Sequence, residues 1–301
     1  MEENNKRIAK NTLMLYMRTI LMMGIGLYTS RVILRSLGVT DFGIYNAVGG
    51  VVAMFGFIST SLGNATSRFI TIAIGRGDQT FTNQTFGNIK VIYYALCVII
   101  VLLAETVGLW FLYNKMTIPA ERMDAAFWVF QFSILSAVLG LISVPYISTI
   151  IAHEKMSAFA YTSLLDSFLK LLICFLLQII PYDRLGTYAF LFFIVEVIDR
   201  IIYAVYCNRH FEEVHSKARL DRTKLKEVLS MSVYTLMGNL FWILNTQGVN
   251  LLLNIFFGPI VNAARGIATQ AQGAMSQFVA NFQTAINPQI TKSYADGNST
   301  R

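Results

Sequence analysis

Apolar residues along this chain come in runs too long for strands and without their alternation. Eight such runs cover roughly 12–35, 42–73, 88–113, 125–150, 158–180, 186–207, 228–257 and 261–290. A hydrocarbon layer of about 30 Å takes roughly 20 apolar residues per helix, whereas a membrane barrel alternates over segments of about ten. The pattern therefore predicts an all-α polytopic membrane protein with about eight transmembrane helices. Breaks are expected at Gly38-Val39-Thr40-Asp41, Gly75-Arg76-Gly77-Asp78, Pro181-Tyr182-Asp183 and Gly258-Pro259, where glycine and proline punctuate the pattern.

Composition agrees. Of the 301 residues 55% are apolar and 14% charged, against about 25% charged in ordinary soluble domains, and mean hydropathy is +0.54. The net charge of +7 follows placement. With the N-terminus inside, most of the basic residues fall on the inner side, and the outer side keeps Arg31, Arg35, Lys115, Arg122, Arg184 and Arg265. That bias predicts a cytoplasmic N-terminus. The basic start, MEENNKRIAKN, reads as a retained tail because no small-residue cleavage site follows it. Trp110, Tyr113 and Tyr182 near outer helix ends suit an aromatic belt. The most basic stretch, Asn208–Glu227, has a single aromatic, Phe211. It suits an interfacial helix on anionic headgroups better than a nucleic-acid surface.

A single ungapped shift aligns Gly38 with Gly258, Ala65 with Ala285, Ile70-Thr71 with Ile290-Thr291, and Gly77 with Gly297. The glycines fall at the same helix junctions in both copies, as in a parallel repeat. The expected organisation is a six-helix lobe over 1–207, a basic cytoplasmic linker over 208–227, and the first two helices of a second lobe over 228–301. On that reading the chain is cut off partway through its second lobe.

Charged groups at bilayer depth cost about 2.5–3.5 kcal/mol each on insertion scales and need a partner or a watery cavity. Arg31 and Arg35 share a face of the first helix with Gly24 and Tyr28, while Thr60, Asn64 and Arg68 form a stripe on the second. Thr246, Asn250 and Asn254 give the seventh helix a narrow polar row. The eighth carries Arg265, Thr269, Gln272, Ser276, Gln283 and Asn287 at helical spacing. A helix that polar lines a cavity or packs on another polar helix. The competing reading for the amides is interhelical hydrogen-bond glue, and for Arg31, Arg35 and Arg265 snorkelling to the interface. Asp166 with Lys170, and Glu196 with Arg200, stand four apart and read as self-neutralising pairs. Glu105 has no local partner; it is a candidate proton or cation carrier, or else has a partner on another helix.

No nucleophile motif, metal-ligand spacing, P-loop or phosphate-cradling glycine loop is present, so an enzyme is not expected, nor a cofactor or metal. Cys97, Cys174 and Cys207 lie apart with no CxxC spacing.

The segment TSRVILRSLGVTDFGIYNAVGG (Thr29–Gly50) resembles the first hairpin of the bacterial polysaccharide exporters. These belong to the multidrug/oligosaccharidyl-lipid/polysaccharide exporter superfamily. Asn262–Asn298 is similar to the eighth helix and following loop of the same family, down to its Pro-x-Ile-Thr-x-x-Tyr-Ala-x-Gly ending. The resemblance implies two six-helix lobes around a cavity, in the bacterial cytoplasmic membrane. It implies alternating access that carries undecaprenyl-diphosphate-linked oligosaccharide, such as lipopolysaccharide O-units, between leaflets. Its implied partners are this lipid-linked substrate, membrane lipids, and the polysaccharide polymerase and ligase machinery, with no nucleic acid. Cavity arginines of related flippases face the lipid diphosphate, and the matching residues are Arg31, Arg35, Arg68 and Arg265. Asn64, Thr269, Gln272 and Ser276 complete the expected lining. A guanidinium suits that task because its fork meets phosphate oxygens in pairs and keeps its charge. The alternatives are a multidrug/cation antiporter of the same fold, a membrane glycosyltransferase or polymerase, and an inactive remnant. The antiporter needs acidic cavity residues, which the first helix lacks between Thr12 and Arg35.

Overall fold

The computed structural model describes residues 2–53, 56–114, 116, 118–180 and 183–216. Between 272 and 291 it describes residues 272, 275–276, 279–280, 282–284, 286–287 and 290–291. Every regular element among the described residues is helical. The helices are α1 (Glu2–Ala53), α2 (Gly56–Gly75), α3 (Gln79–Leu103), α4 (Leu109–Asn114), α5 (Met123–Ala152), α6 (Met156–Ile179) and α7 (Arg184–His210). Four stretches are long and apolar enough to cross a membrane: Leu13–Gly38, Gln79–Asn114, Ala120–Ala152 and Met156–Ile179. Two more spans were expected within the described part. Their helices, α2 and α7, carry the residues that dilute apolar character: Asn64 and Arg68 in one, Glu196, Asp199 and Arg200 in the other.

The breaks follow backbone chemistry. At Gly38 the chain has φ 78° and ψ 171°, which splits α1 into two limbs. That region belongs almost wholly to glycine. Gly77, at φ 69°, turns the chain out of α2, and Asp78 then caps α3 by accepting from the Phe81 N–H at 3.1 Å. Such a cap is worth about 1 kcal/mol. This helix starts at Gln79, well before the expected 88, because its polar first turns are buried within the protein. Thr82 and Thr85 return their hydroxyls to the carbonyls of Asp78 and Phe81 at 3.0 and 2.8 Å. Asp183 caps α7 through the Gly186 N–H at 3.0 Å.

The core centres on α5, whose most apolar window is 44% buried, against 22% for α6. One cluster joins Leu62 and Ile70 of α2, Phe86, Ile89 and Tyr93 of α3, and Leu141 and Ile150 of α5. A second places Ile44 and Val48 of the later α1 limb against Val129 and Phe130 of α5. In the third, Val32, Ile33 and Leu37 of the earlier limb meet Ile173, Cys174 and Leu177 of α6, with Tyr188 and Val195 of α7. Small residues let helices close: Ser148 of α5 donates to the Gly63 carbonyl of α2 at 3.3 Å. Between α3 and α4 lies a π-helical turn, Ala104–Gly108. Gly108 sits beneath the Phe130 ring, where an added Cβ would stand 2.7 Å from Cζ.

Candidate functional site

Because the earlier limb of α1 buries Val32, Ile33 and Leu37, helical geometry puts Arg31 and Arg35 on its other side, and both are exposed. Tyr28 shares that face at 51% exposure. The same logic operates in α2. Leu62, Ala65, Thr66 and Ile70 are buried, while Asn64 and Arg68 are exposed. Thr66 is held on the buried side by a 3.0 Å hydrogen bond with the Tyr93 hydroxyl. Among the described residues, neither an ion pair nor a hydrogen bond engages Arg31, Arg35 or Arg68, and none links one of them to another.

Gln272 and Ser276 also stand exposed. With Met275, Val279, Ala280 and Gln283 they line a hollow of about 570 Å³. Arg265 and Thr269 lie outside the described residues. Glu105 occupies the π-helical turn and has the interhelical partner that the sequence left open: the Gln131 amide donates to its Oε2 at 3.3 Å. Trp110 and Tyr113 are each 54% exposed near the end of α4, where an aromatic belt was expected.

Several other charges within the bundle have contacts on neighbouring helices, though Asp199 Oδ1 and Arg200 Nη1 are buried without a hydrogen-bond partner among the described residues. Lys170 meets Asp166 at 2.7 Å, the pairing expected from their spacing, and also meets Glu196 of α7 at 3.2 Å. Its ammonium lies 4.6 Å from the centre of the Phe192 ring. The expected Glu196–Arg200 pair is not formed. Glu196 turns to Lys170, and the Arg200 guanidinium lies over the Tyr146 ring, 4.0 Å from its centre. Arg18 lies over Phe159 at 4.5 Å.

Two further clusters tie the ends of α5, and sequence spacing signalled neither. At its start Arg122 donates to Asp41 and Asp183, and Arg184 donates to the Ser36 carbonyl at 3.1 Å. At its end His153 pairs with Glu213 at 2.6 Å and stacks on Phe211 with ring centres 4.2 Å apart. Lys90 donates to the Val214 and Ser216 carbonyls at 2.7 and 3.3 Å. These contacts dock Phe211–Ser216, at the head of the basic stretch, against α3 and α5. Burial alone would raise the Glu213 carboxyl. The hydrogen bonds from His153, its own backbone and Gln79 outweigh that and hold it below the ordinary carboxylate range.

No protein-family model and no curated protein matches the sequence. Solved structures do. A multidrug resistance MATE family transporter of the MOP superfamily, in an outward-facing conformation, superposes with a TM-score of 0.80 at 14% identity. The alignment covers 98% of this chain and 66% of that one. This chain has the MOP transporter fold. A MOP superfamily transporter from Pyrococcus furiosus, described as having reversed binding-pocket polarity, gives a TM-score of 0.72 at 15% identity, covering 97% and 66%. MATE in a straight conformation gives 0.79 at 15% identity, covering 98% and 66%. The chain thus spans just under two thirds of the length of these MOP-fold structures.

Proposed function

We propose that this chain takes part in moving an undecaprenyl-diphosphate-linked oligosaccharide across a bacterial cytoplasmic membrane by alternating access. The observation that carries the reading is the division of charge. Lys170 is neutralised inside the bundle, whereas Arg31, Arg35 and Arg68 are exposed without acidic partners among the described residues. Unspent guanidinium groups on α1 and α2 suit a diphosphate, which each can grip through paired N–H donors. The exposed amide and hydroxyl of Gln272 and Ser276 suit the hydroxyls of an oligosaccharide. Arg265 and Thr269 extend that polar row by helical spacing and belong to the same proposal. On this reading the two arginine-bearing helices open one lobe, the helices over 228–301 open a second, and 208–227 links them.

The test is replacement of both Arg31 and Arg265 by alanine in the complete gene, scored by surface polysaccharide at unchanged protein level. Loss of export is expected; export at the wild-type rate would overturn the diphosphate assignment. A second reading, a multidrug transporter, has support in the likeness to a structure described in those words. It predicts that the same double variant still extrudes cationic drugs, with drug efflux rather than polysaccharide as the wild-type activity.

A further inference from the structure

At the start of α5 most charged side chains are committed: Arg122 to Asp41 and Asp183, and Arg184 to the Ser36 carbonyl. Glu121 and Asp124 are not. Both are exposed, and among the described residues no ion pair engages either. They rim a hollow of about 630 Å³. Its wall is aromatic: Trp128 stacks on Phe132 with centres 5.8 Å apart and planes at 28°, and Phe132 meets Phe190 edge-on at 5.4 Å. Trp128 is 54% exposed and Phe190 44%.

The order of these groups along α5 matters. At about 1.5 Å per residue, Trp128 lies roughly 6 Å deeper than Asp124, and Phe132 about 6 Å deeper again. Carboxylates at the mouth, an indole one turn down and phenyl rings below reproduce the polar-to-apolar gradient of a lipid monolayer. The sign of the mouth is also set. Among the described residues lining it, Glu121, Asp124 and Asp183 outnumber Arg122, which is already shared between two carboxylates. An anionic headgroup is repelled there. A cation is drawn both by the carboxylates and by the face of the indole.

We propose that this groove binds a zwitterionic phospholipid by its ammonium headgroup. The ammonium sits between Glu121 and Asp124 near Trp128, and the acyl chains run along Phe132 and Phe190. The phosphate, a few atoms from the ammonium, meets Arg122, whose side chain remains 31% exposed. The groove would be a lipid site apart from the proposed transport path, and it stands whether or not that path carries lipid-linked sugar.

The experiment titrates the purified full chain in detergent with dioleoylphosphatidylethanolamine or dioleoylphosphatidylglycerol and counts bound lipid by native mass spectrometry. Ethanolamine lipid is expected to bind at least about tenfold tighter, equivalent to about 1.4 kcal/mol. Glu121→Gln with Asp124→Asn should bring it down to the level of the glycerol lipid, whose own binding reports that the variant is folded. Trp128→Leu should weaken it about fivefold, and serves where the double variant fails to fold. Glu212→Gln, an exposed acid at the other end of α5, should change nothing. Equal binding of the two lipids to the wild type overturns the proposal. So does an ethanolamine preference that survives the double variant, or one that Glu212→Gln removes equally well.

Discussion

Lys170 of α6 and the arginines Arg31, Arg35 and Arg68 of α1 and α2 live under opposite rules. Lys170 is partly buried and meets Asp166, Glu196 and the Phe192 ring, so its charge is matched within the bundle. Arg31, Arg35 and Arg68 are exposed and have no ion-pair partner among the described residues. The difference teaches how to sort polar residues in an apolar chain. A charge with a partner on the next helix maintains packing, and a charge without one is available to a ligand.

Four variants would break or sharpen that contrast. Lys170→Met should do the most damage to stability, because it leaves two part-buried carboxylates without a counter-charge; such losses reach about 3–5 kcal/mol for fully buried pairs. Thermal unfolding in detergent measures it, and a melting temperature like that of the wild type would mean that the pairs are idle. His153→Ala comes next, at about 1.5–3 kcal/mol for a charged hydrogen bond, and it also changes the response to acid. In the folded wild type Glu213 is held below its ordinary value, chiefly against burial and with His153 as the main lowering partner. Its contribution is therefore complete above the usual carboxylate range, about 4.3, and is lost as pH falls through the lowered value. The variant should show a shallower decline in melting temperature over that acid window. An identical slope in the two proteins would argue against the pair.

Gly108→Ala forces a methyl group against Phe130 and should cost about 1–3 kcal/mol, read from the same melting curves. Arg31→Ala with Arg35→Ala should be the mildest for stability, within about 0.5 kcal/mol per site, as for surface positions without partners. A large loss of stability there would show that these arginines are structural and would erase the contrast.

Much of the architecture is legible in the chain because lipid enforces a simple grammar. Long apolar runs gave the positions of α5, α6 and α7 to within a few residues; Gly38 marked the break within α1, Gly75-Arg76-Gly77-Asp78 the turn from α2 to α3, and Asp183 the start of α7. The start of α3 was misplaced because burial of Thr82, Thr85 and Asn88 depends on neighbours distant in sequence. The same limit hid the choice Glu196 makes for Lys170 over Arg200. Spacing of four identifies who can pair within a helix, and the neighbouring helix then competes for the same charge. Arg122 with Asp41 and Asp183, and His153 with Glu213, join residues far apart in sequence, and a hydropathy pattern carries no information about them. The exposed faces bearing Arg31, Arg35, Asn64 and Arg68 were legible, since helical period fixes which residues stand opposite the apolar stripe.

Gly38 has open space around its missing side chain, so its constraint comes from the backbone angles alone. The chain is tied down on both sides of it, at Ser36 by Arg184 and at Asp41 by Arg122, so a replacement cannot relax by swinging either limb. Every single-base change that replaces a glycine installs a side chain or a stop. No replacement at this position is therefore harmless, and drift across the rest of the helix should leave this one residue standing.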